Sequence, residues 1–387
     1  MSTSNADQTR ILMSQATANR IVSSMSRRKF LAVSGGSAAL AAFLAACGSD
    51  SKGSSGGIFA KNANLFTWAE YDDPDLLSSW GQLNITIYNS TEEAIQKLAA
   101  AGGSSGFDLV CPTGVYIPQM VKEDLLEKLD LDRIPNFKNI DKPFTDQDWD
   151  PGNQYSVCKD WGTTGWIYDT TVVKSEIVTW ADFITATQTD ASGQTSVLDV
   201  PPELCGIYFW ANGISWTTED TQQLDDCETF LLDNFAEHLK AFDSYPGIAL
   251  TQGNYALSQV WNGDARQGLI AVEEAGGDPT RYKWAVGTPE TELWMDTWVI
   301  AKGAKNVDAA YDFINFILDP VNSLKDLAFH GYNTGVAGIQ EMAQDLPFSD
   351  MIFFTDEEVS GFRAGAVNSA QDRLVDIWNN VKAKASA

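Results

Sequence analysis

The sequence predicts an α/β fold in two lobes, and three observations carry that prediction. At 387 residues the chain is long enough for two or three domain-sized units, or for two lobes sharing one chain. A strand–helix–strand–helix–strand pattern with short connections begins at Asn62, which implies a parallel sheet. After Tyr155 a second unit of the same kind follows, and strands near 160–166 and 294–300 cross between the two. Hydrophobic residues form 44% and aromatics 11% of the chain, enough for packed cores and too much for sustained disorder away from the termini.

The elements follow in order. "NANLFTW" reads as a first strand, and "DPDLLSSW" as a helix with Pro74 near its start. "LNITIYN" alternates like a strand, and "STEEAIQKLAAAGG" is a capped helix closed by glycine. "FDLVCP" is a short buried strand, and "VYIPQMVKEDLLEKL" returns to helix. In the second unit "GTTGWIYD" is a strand, and "TWADFITAT" and "PELCGIYFWANG" are helices. "TQQLDDCETFLLDNFAEHLKAF" is the longest helical pattern, and it makes His238 a structural residue. "RYKWAVG" and "WMDTWVIA" are strands, while "NVDAAYDFINFIL", "DPVNSLKDLAFH" and "AQDRLVDIWNNVKAK" are helical.

The first 60 residues have a different character. Arg27 and Arg28 precede a mild apolar stretch from Phe30 to Ala46, too short and too dilute in leucine for a membrane span. This pattern is a secretion leader of the twin-arginine type. It ends in Leu44-Ala45-Ala46-Cys47-Gly48, which resembles a bacterial lipobox and implies cleavage before Cys47 and lipidation of it. "GSDSKGSSGG" then makes a flexible tether. The expected product is anchored by lipid to the outer face of the cytoplasmic membrane, in the periplasm or at the cell surface. Four further cysteines, Cys111, Cys158, Cys205 and Cys227, allow two disulfides, with Cys111–Cys158 and Cys205–Cys227 favoured by order. Twin-arginine cargo folds in a reducing cytosol, so buried free thiols remain the alternative.

Charge and motif content exclude several functions. With 26 basic and 52 acidic side chains the formal charge is −26, which repels nucleic acid and attracts cations. The two histidines, His238 and His330, have no metal-ligand spacing, and neither an HExxH, a GxSxG nor a Walker motif occurs. No catalytic residue, metal or cofactor is expected.

One residue stands out. Asp296 sits in "LWMDTW" among leucine, methionine and two tryptophans, where a carboxylate is costly unless paired. Strand period places Trp294, Asp296 and Trp298 on one face and turns Met295 and Thr297 to the other.

The blocks "LFTWAEYDDPDLL", "FDLVCPTGVYIPQMVKEDLLEKLD", "YSVCKDWGTTG", "VTWADF", "VWNGD", "LWMDTWVIAKGAKNVDAAYDFINFILDP" and "HGY" occur in an order that resembles the spermidine/putrescine-binding receptors of bacterial polyamine ABC importers. The resemblance spans about residues 62–385 and is weaker over 170–260. It implies a two-lobed type II periplasmic-binding-protein fold with crossing strands as hinge, a polyamine in the interlobe cleft, a membrane ABC permease as partner, a monomer, and no catalysis. The implied division is a leader over 1–46, a tether over 47–60, lobe 1 over 61–163 and 297–341, and lobe 2 over 164–296 and 342–387.

By position, the resemblance assigns Trp68 and Tyr71 to an aromatic wall and Thr113 to a small hydroxyl contact. Glu203 becomes an amine-binding carboxylate, Trp261 and Asp264 a platform with its aspartate, Trp294 and Asp296 the platform and principal carboxylate, and Tyr332 a cleft tyrosine. The residue types suit the ligand. Aromatic faces cover methylenes and attract ammonium groups, worth about 0.5–2 kcal/mol each, and carboxylates fix the ammoniums by charge-assisted hydrogen bonds. Two departures bear on the ligand: Val200 stands where such receptors carry an aspartate, with Asp199 adjacent, and Val115 where they carry a tyrosine, with Tyr116 adjacent. They keep open a receptor for another small cationic or amphipathic solute. A secreted carboxylate-dependent hydrolase is the remote alternative.

Overall fold

The computed structural model describes residues 61–386. The twin-arginine pair, the apolar leader, Cys47 and the tether lie outside the described residues. Strands β1 (Asn62–Thr67), β2 (Gln82–Ile87) and β3 (Leu109–Val110) are parallel, with β1 between the other two. Their connecting helices begin at side-chain caps that satisfy free N–H groups. Asp73 accepts from the Asp75 N–H at 2.9 Å before the helix Pro74–Trp80, and Ser90 accepts from the Glu93 N–H at 3.2 Å before Thr91–Ala100.

The next helix is shorter than its pattern. It runs only from Ile117 to Lys122, and Asp124, at a left-handed φ of 55°, ends it. Leu125 and Leu126 are buried by extended chain instead, where Leu126 bridges Ala301.

Strand β4 (Ser156–Asp169) is buried along all 14 residues. It is followed by β5 (Thr195–Leu198), β6 (Leu239–Asp243), β7 (Leu257–Trp261), β8 (Tyr282–Val286), β9 (Thr291–Ile300), β10 (Asn333–Thr334) and β11 (Phe362–Ala364). The hydrogen-bonded order is β2–β1–β3–β9–β4–β7–β5–β6, so β4 and β9 are the antiparallel centre joining two parallel flanks. The first half of β4 pairs with β9, from Ser156↔Val299 to Thr163↔Leu293; from Thr164 onward β4 pairs with β7 and β8. The β4–β9 register shifts between Cys158 and Asp160, which leaves Lys159 as a bulge.

Each flank has its own apolar core. One gathers Leu65, Trp80, Trp298 and Phe313, and the other Trp166, Trp180, Phe183 and Trp210. Trp298 meets Phe313 edge-on at 5.2 Å, and Trp180 stacks on Trp210 at 4.8 Å.

The long helical pattern after Thr221 is broken. An α-helix covers Thr221–Phe230, a wide turn Leu231–Phe235 and a tight turn Ala236–His238, and β6 takes the remainder. Leu231, Phe235 and Leu239 are spaced like one helical stripe and all are buried, but pairing of Ala241 with Ser196 of β5 fixes the last stretch as strand. The four cysteines are buried free thiols, so the disulfide pairing is not adopted. Cys227 Sγ points at the Cys205 carbonyl at 3.9 Å, and burial pushes the thiols of Cys111, Cys158 and Cys227 up, away from the reactive thiolate. Among the described residues no helix is long and apolar enough to cross a membrane, and no group of side chains could hold a metal ion.

Candidate functional site

A cleft with a cavity volume of about 290 Å³ opens where β4 and β9 meet the loops after β1, β3 and β7, and all nine residues singled out from the sequence line it. Asp296 is at its floor. The segment after β3 docks on β9 there: Thr113 bridges Asp296, and the Thr297 N–H and hydroxyl donate to the Pro112 carbonyl at 2.9 and 3.0 Å. Thr113 thus faces Asp296 and makes no side-chain cap to the turn that follows it. Tyr71 donates its hydroxyl to Asp296 Oδ2 at 2.9 Å, and the same hydroxyl lies 2.6 Å from Asp160 Oδ1. Burial, and then the Asp160 charge, push the Asp296 carboxyl up to about 7.

Two bare backbone positions seat the aromatic platform. A Cβ on Gly162 would lie 2.4 Å from the Trp294 ring, and one on Gly263 would lie 2.5 Å from the Tyr332 ring. Glycine is what lets the rings lie flat there. Trp294 and Tyr332 meet edge-on at 4.7 Å, and Tyr332 donates its hydroxyl to Asp264 Oδ2 at 2.5 Å. Asp264 lies in the first turn of the helix Asn262–Glu274, not at its cap, and burial pushes its carboxyl up to about 6. Trp68 meets Tyr88 edge-on at 4.6 Å on the β1 side. Trp298 does not reach the cleft: it is fully buried in the first core, against Phe313.

Glu203 opens the helix Pro201–Ala211 and is buried. Its Oε1 accepts from Thr164 Oγ1 at 2.6 Å and Trp261 Nε1 at 3.1 Å, and its Oε2 accepts from Gln259 Nε2 at 3.3 Å. Beside it is an acid that the sequence reading passed over, Glu292, whose Oε2 lies 3.2 Å from the same Thr164 hydroxyl. Strand period could have found it, since it is four residues before Asp296 on the same face of β9. Burial raises both glutamates, and the Glu203 charge raises Glu292 further.

Val200 and Val115 both line the cleft as apolar surface. Asp199 does not replace the charge missing at 200, because its Oδ1 already accepts from Lys382 Nζ at 2.7 Å and Trp378 Nε1 at 3.1 Å. Tyr116 donates to Glu92, and Gln371 Nε2 donates to Glu92 Oε1 at 3.1 Å. Tyr245 donates to Asn89 Oδ1 at 3.1 Å. These contacts, which no local sequence signal announces, join the two sides across the mouth.

Behind the floor lies a second acidic cluster. Lys159 Nζ, fully buried, is 3.1 Å from the Tyr71 carbonyl, 3.2 Å from Asp160, 3.3 Å from Asp72 and 3.4 Å from Asp326. The bulge explains how Lys159 and Asp160, adjacent in a strand, reach each other. His330 Nδ1 accepts from the Tyr332 N–H at 3.0 Å, so its proton sits on Nε2, which faces Asp326 at 3.4 Å and Asp160 at 3.6 Å. Burial would raise Asp326, but the Lys159 charge, the His330 N–H and the Asp73 backbone N–H outweigh it and hold that carboxyl at about 2.

The cleft itself has no such cation. Seven acids line it (Glu70, Glu92, Asp199, Glu203, Asp264, Glu292 and Asp296) and, among the described residues, no lysine, arginine or histidine. Nine tyrosine and tryptophan side chains line it as well. Such a surface accepts a ligand that is cationic and has hydrocarbon to cover.

Comparison with known proteins agrees with this geometry. The profile of the bacterial extracellular solute-binding protein family matches residues 82–349. A putrescine/cadaverine-binding protein of Pseudomonas aeruginosa is 32% identical over 274 residues, covering 68% of this chain and 76% of its own length. A spermidine/putrescine-binding periplasmic protein of Escherichia coli is 26% identical over 329 residues, covering 82% of this chain and 91% of its own. Among solved structures, a spermidine/putrescine ABC transporter substrate-binding protein of Streptococcus pneumoniae superposes with a TM-score of 0.69 at 26% identity, covering 84% of this chain and 99% of its own.

Proposed function

The chain belongs to the bacterial extracellular solute-binding proteins, exported receptors with a two-lobed α/β fold, and from that premise we propose that it captures a polyamine in the cleft and hands it to an ABC permease. The carrying observation is the lining of seven acids and nine aromatics without a basic side chain. The names of the relatives point the same way, toward putrescine, cadaverine and spermidine. Asp296, Asp264 and Glu203 are the ammonium-binding carboxylates of this reading, and Trp68, Tyr71, Trp261, Trp294 and Tyr332 cover the methylenes, with Thr113 beside Asp296. The acids are held above their ordinary pKa by burial, so a bound ammonium would bring each back toward its charged form.

The protein binds and releases its solute without turning it over. It works as a monomer whose lobes close about β4 and β9, with divisions at 163/164, 296/297 and 341/342. Export by the twin-arginine route and a lipid on Cys47 would hold it at the outer face of the membrane. A second reading, a different organic cation, draws on the apolar Val200 and Val115 and on the occupied carboxylate of Asp199.

Calorimetry with putrescine, cadaverine, spermidine and spermine tests the proposal. Saturable binding is expected for at least one, with a stabilisation of about 2.7 kcal/mol at a hundredfold excess over Kd. A folded, ligand-free protein that binds none of the four would exclude the polyamine reading.

A further inference from the structure

Glu203 and Glu292 approach one hydroxyl from two sides. Thr164 Oγ1 is 2.6 Å from Glu203 Oε1 and 3.2 Å from Glu292 Oε2, and a hydroxyl has a single hydrogen to donate. Glu203 also takes the Trp261 and Gln259 N–H donors, so three donors favour its ionised form. Glu292 has no such set. The other titratable groups that face it are Asp296 on its own strand and Tyr116, itself bonded to Glu92, from the opposite side. None of these is cationic, and no lysine, arginine or histidine lines the cleft among the described residues. Two carboxyls, one buried and one half-buried, that converge on a single hydroxyl with no cation beside them favour sharing one proton over carrying two charges.

We propose that Glu292 is a further ammonium-binding residue of the cleft, which in the ligand-free protein carries the proton of a Glu203–Glu292 pair and gives it up when an organic ammonium group arrives. The inference rests on the polyamine reading for its ligand. The step balances: Glu292 in its acid form and the ammonium yield Glu292 carboxylate paired with the ammonium, and one proton passes to solvent. The ammonium replaces the proton's single positive charge and brings three donors, enough for both glutamates. Proton and ligand therefore compete for one place. The resulting pH dependence belongs to this pair, separately from that of Asp296.

The test is calorimetry of putrescine and spermidine at pH 8 in two buffers of different ionisation heat, on the wild type and Glu292→Gln. At that pH Asp296, at about 7, and Asp264, at about 6, are largely ionised, while the ligand ammoniums, near ~10.4, remain charged. The wild type is expected to release a proton on binding, and Glu292→Gln to release much less and bind roughly tenfold more weakly. Carbon-13 NMR of the ligand-free protein should show one glutamate carboxyl that titrates well above the ordinary range, lost in Glu292→Gln; this reading needs no ligand. Its absence, or proton release that survives undiminished in Glu292→Gln, overturns the inference. Wild-type binding without proton release also overturns it and leaves the polyamine reading standing. No binding of either amine by the wild type, with the protonated carboxyl present, removes the polyamine reading and the displacement step with it.

Discussion

The acids behind the cleft floor and the acids in front of it are separated by one tyrosine hydroxyl, yet they are provided for in opposite ways. Behind it, Asp72, Asp160 and Asp326 surround Lys159, and His330 completes the shell. In front, Asp296, Asp264, Glu203 and Glu292 have hydroxyl, indole and amide donors but no cation of the chain. On the proposed reading, the difference separates structure from recognition. A buried carboxylate with its own lysine is part of the architecture, whereas one left with neutral donors is provisioned for a charge that comes from elsewhere.

The largest effect should come from the rear cluster. Lys159→Met leaves buried acids without their cation and should cost about 3–5 kcal/mol of folding stability, read by denaturant unfolding. A loss below about 1 kcal/mol would mean that those acids are neutral, and the contrast between the clusters would collapse. Asp296→Asn should behave in the reverse sense: folding stability holds or rises, while polyamine affinity falls by about 2–5 kcal/mol in calorimetry. Equal affinity would remove Asp296 from the site. Tyr71→Phe cuts the hydroxyl that touches both clusters and should cost about 1.5 kcal/mol in folding and in binding alike; an effect on only one of them would show which acid the hydroxyl serves.

The smallest effect is the pH profile of the ligand-free protein. Asp296 and Asp264 are raised from 3.8 to about 7 and about 6, so their contribution to stability is full below about pH 4 and is lost as pH rises through 6 to 7. Asp72, raised to about 7 chiefly by burial, adds to the same decline. Asp326, lowered to about 2, contributes above pH 4 and loses its share as pH falls through 2. Melting temperature should therefore peak near pH 3–4 and fall toward pH 8, and saturating polyamine should flatten the upper fall. An unchanged upper slope with ligand bound would contradict the cleft assignment.

What could be read in advance divides along the same physical lines. β1, β2 and β3 were legible because short-range alternation and capped helices agree there with the tertiary pairing. Asp296 stood out because a carboxylate in an apolar strand is locally anomalous, and Trp294 was singled out by the resemblance; both line the cleft. The helix expected past Lys122 and the one expected across Leu239 failed because an apolar stripe records burial and not the element that achieves it. Glu292 was readable from strand period but sits in a polar run, so nothing marked it as unusual. Gln371, Tyr245 and, around Lys159, Asp72 and Asp326 are brought in from distant positions, and only the folded chain shows them.

The bulge at Lys159 also divides β4 into two reading frames. Upstream of it, inside and outside alternate in one phase, and downstream in the other, because one residue has been added to a pattern of period two. Deleting that residue would not merely remove an amine. It would turn Ser156, Val157 and Cys158 over, each to the opposite face of the sheet. Aligning other chains with this strand therefore requires treating position 159 as an insertion. A gapless alignment would match inward residues with outward ones over the stretch with which β4 begins.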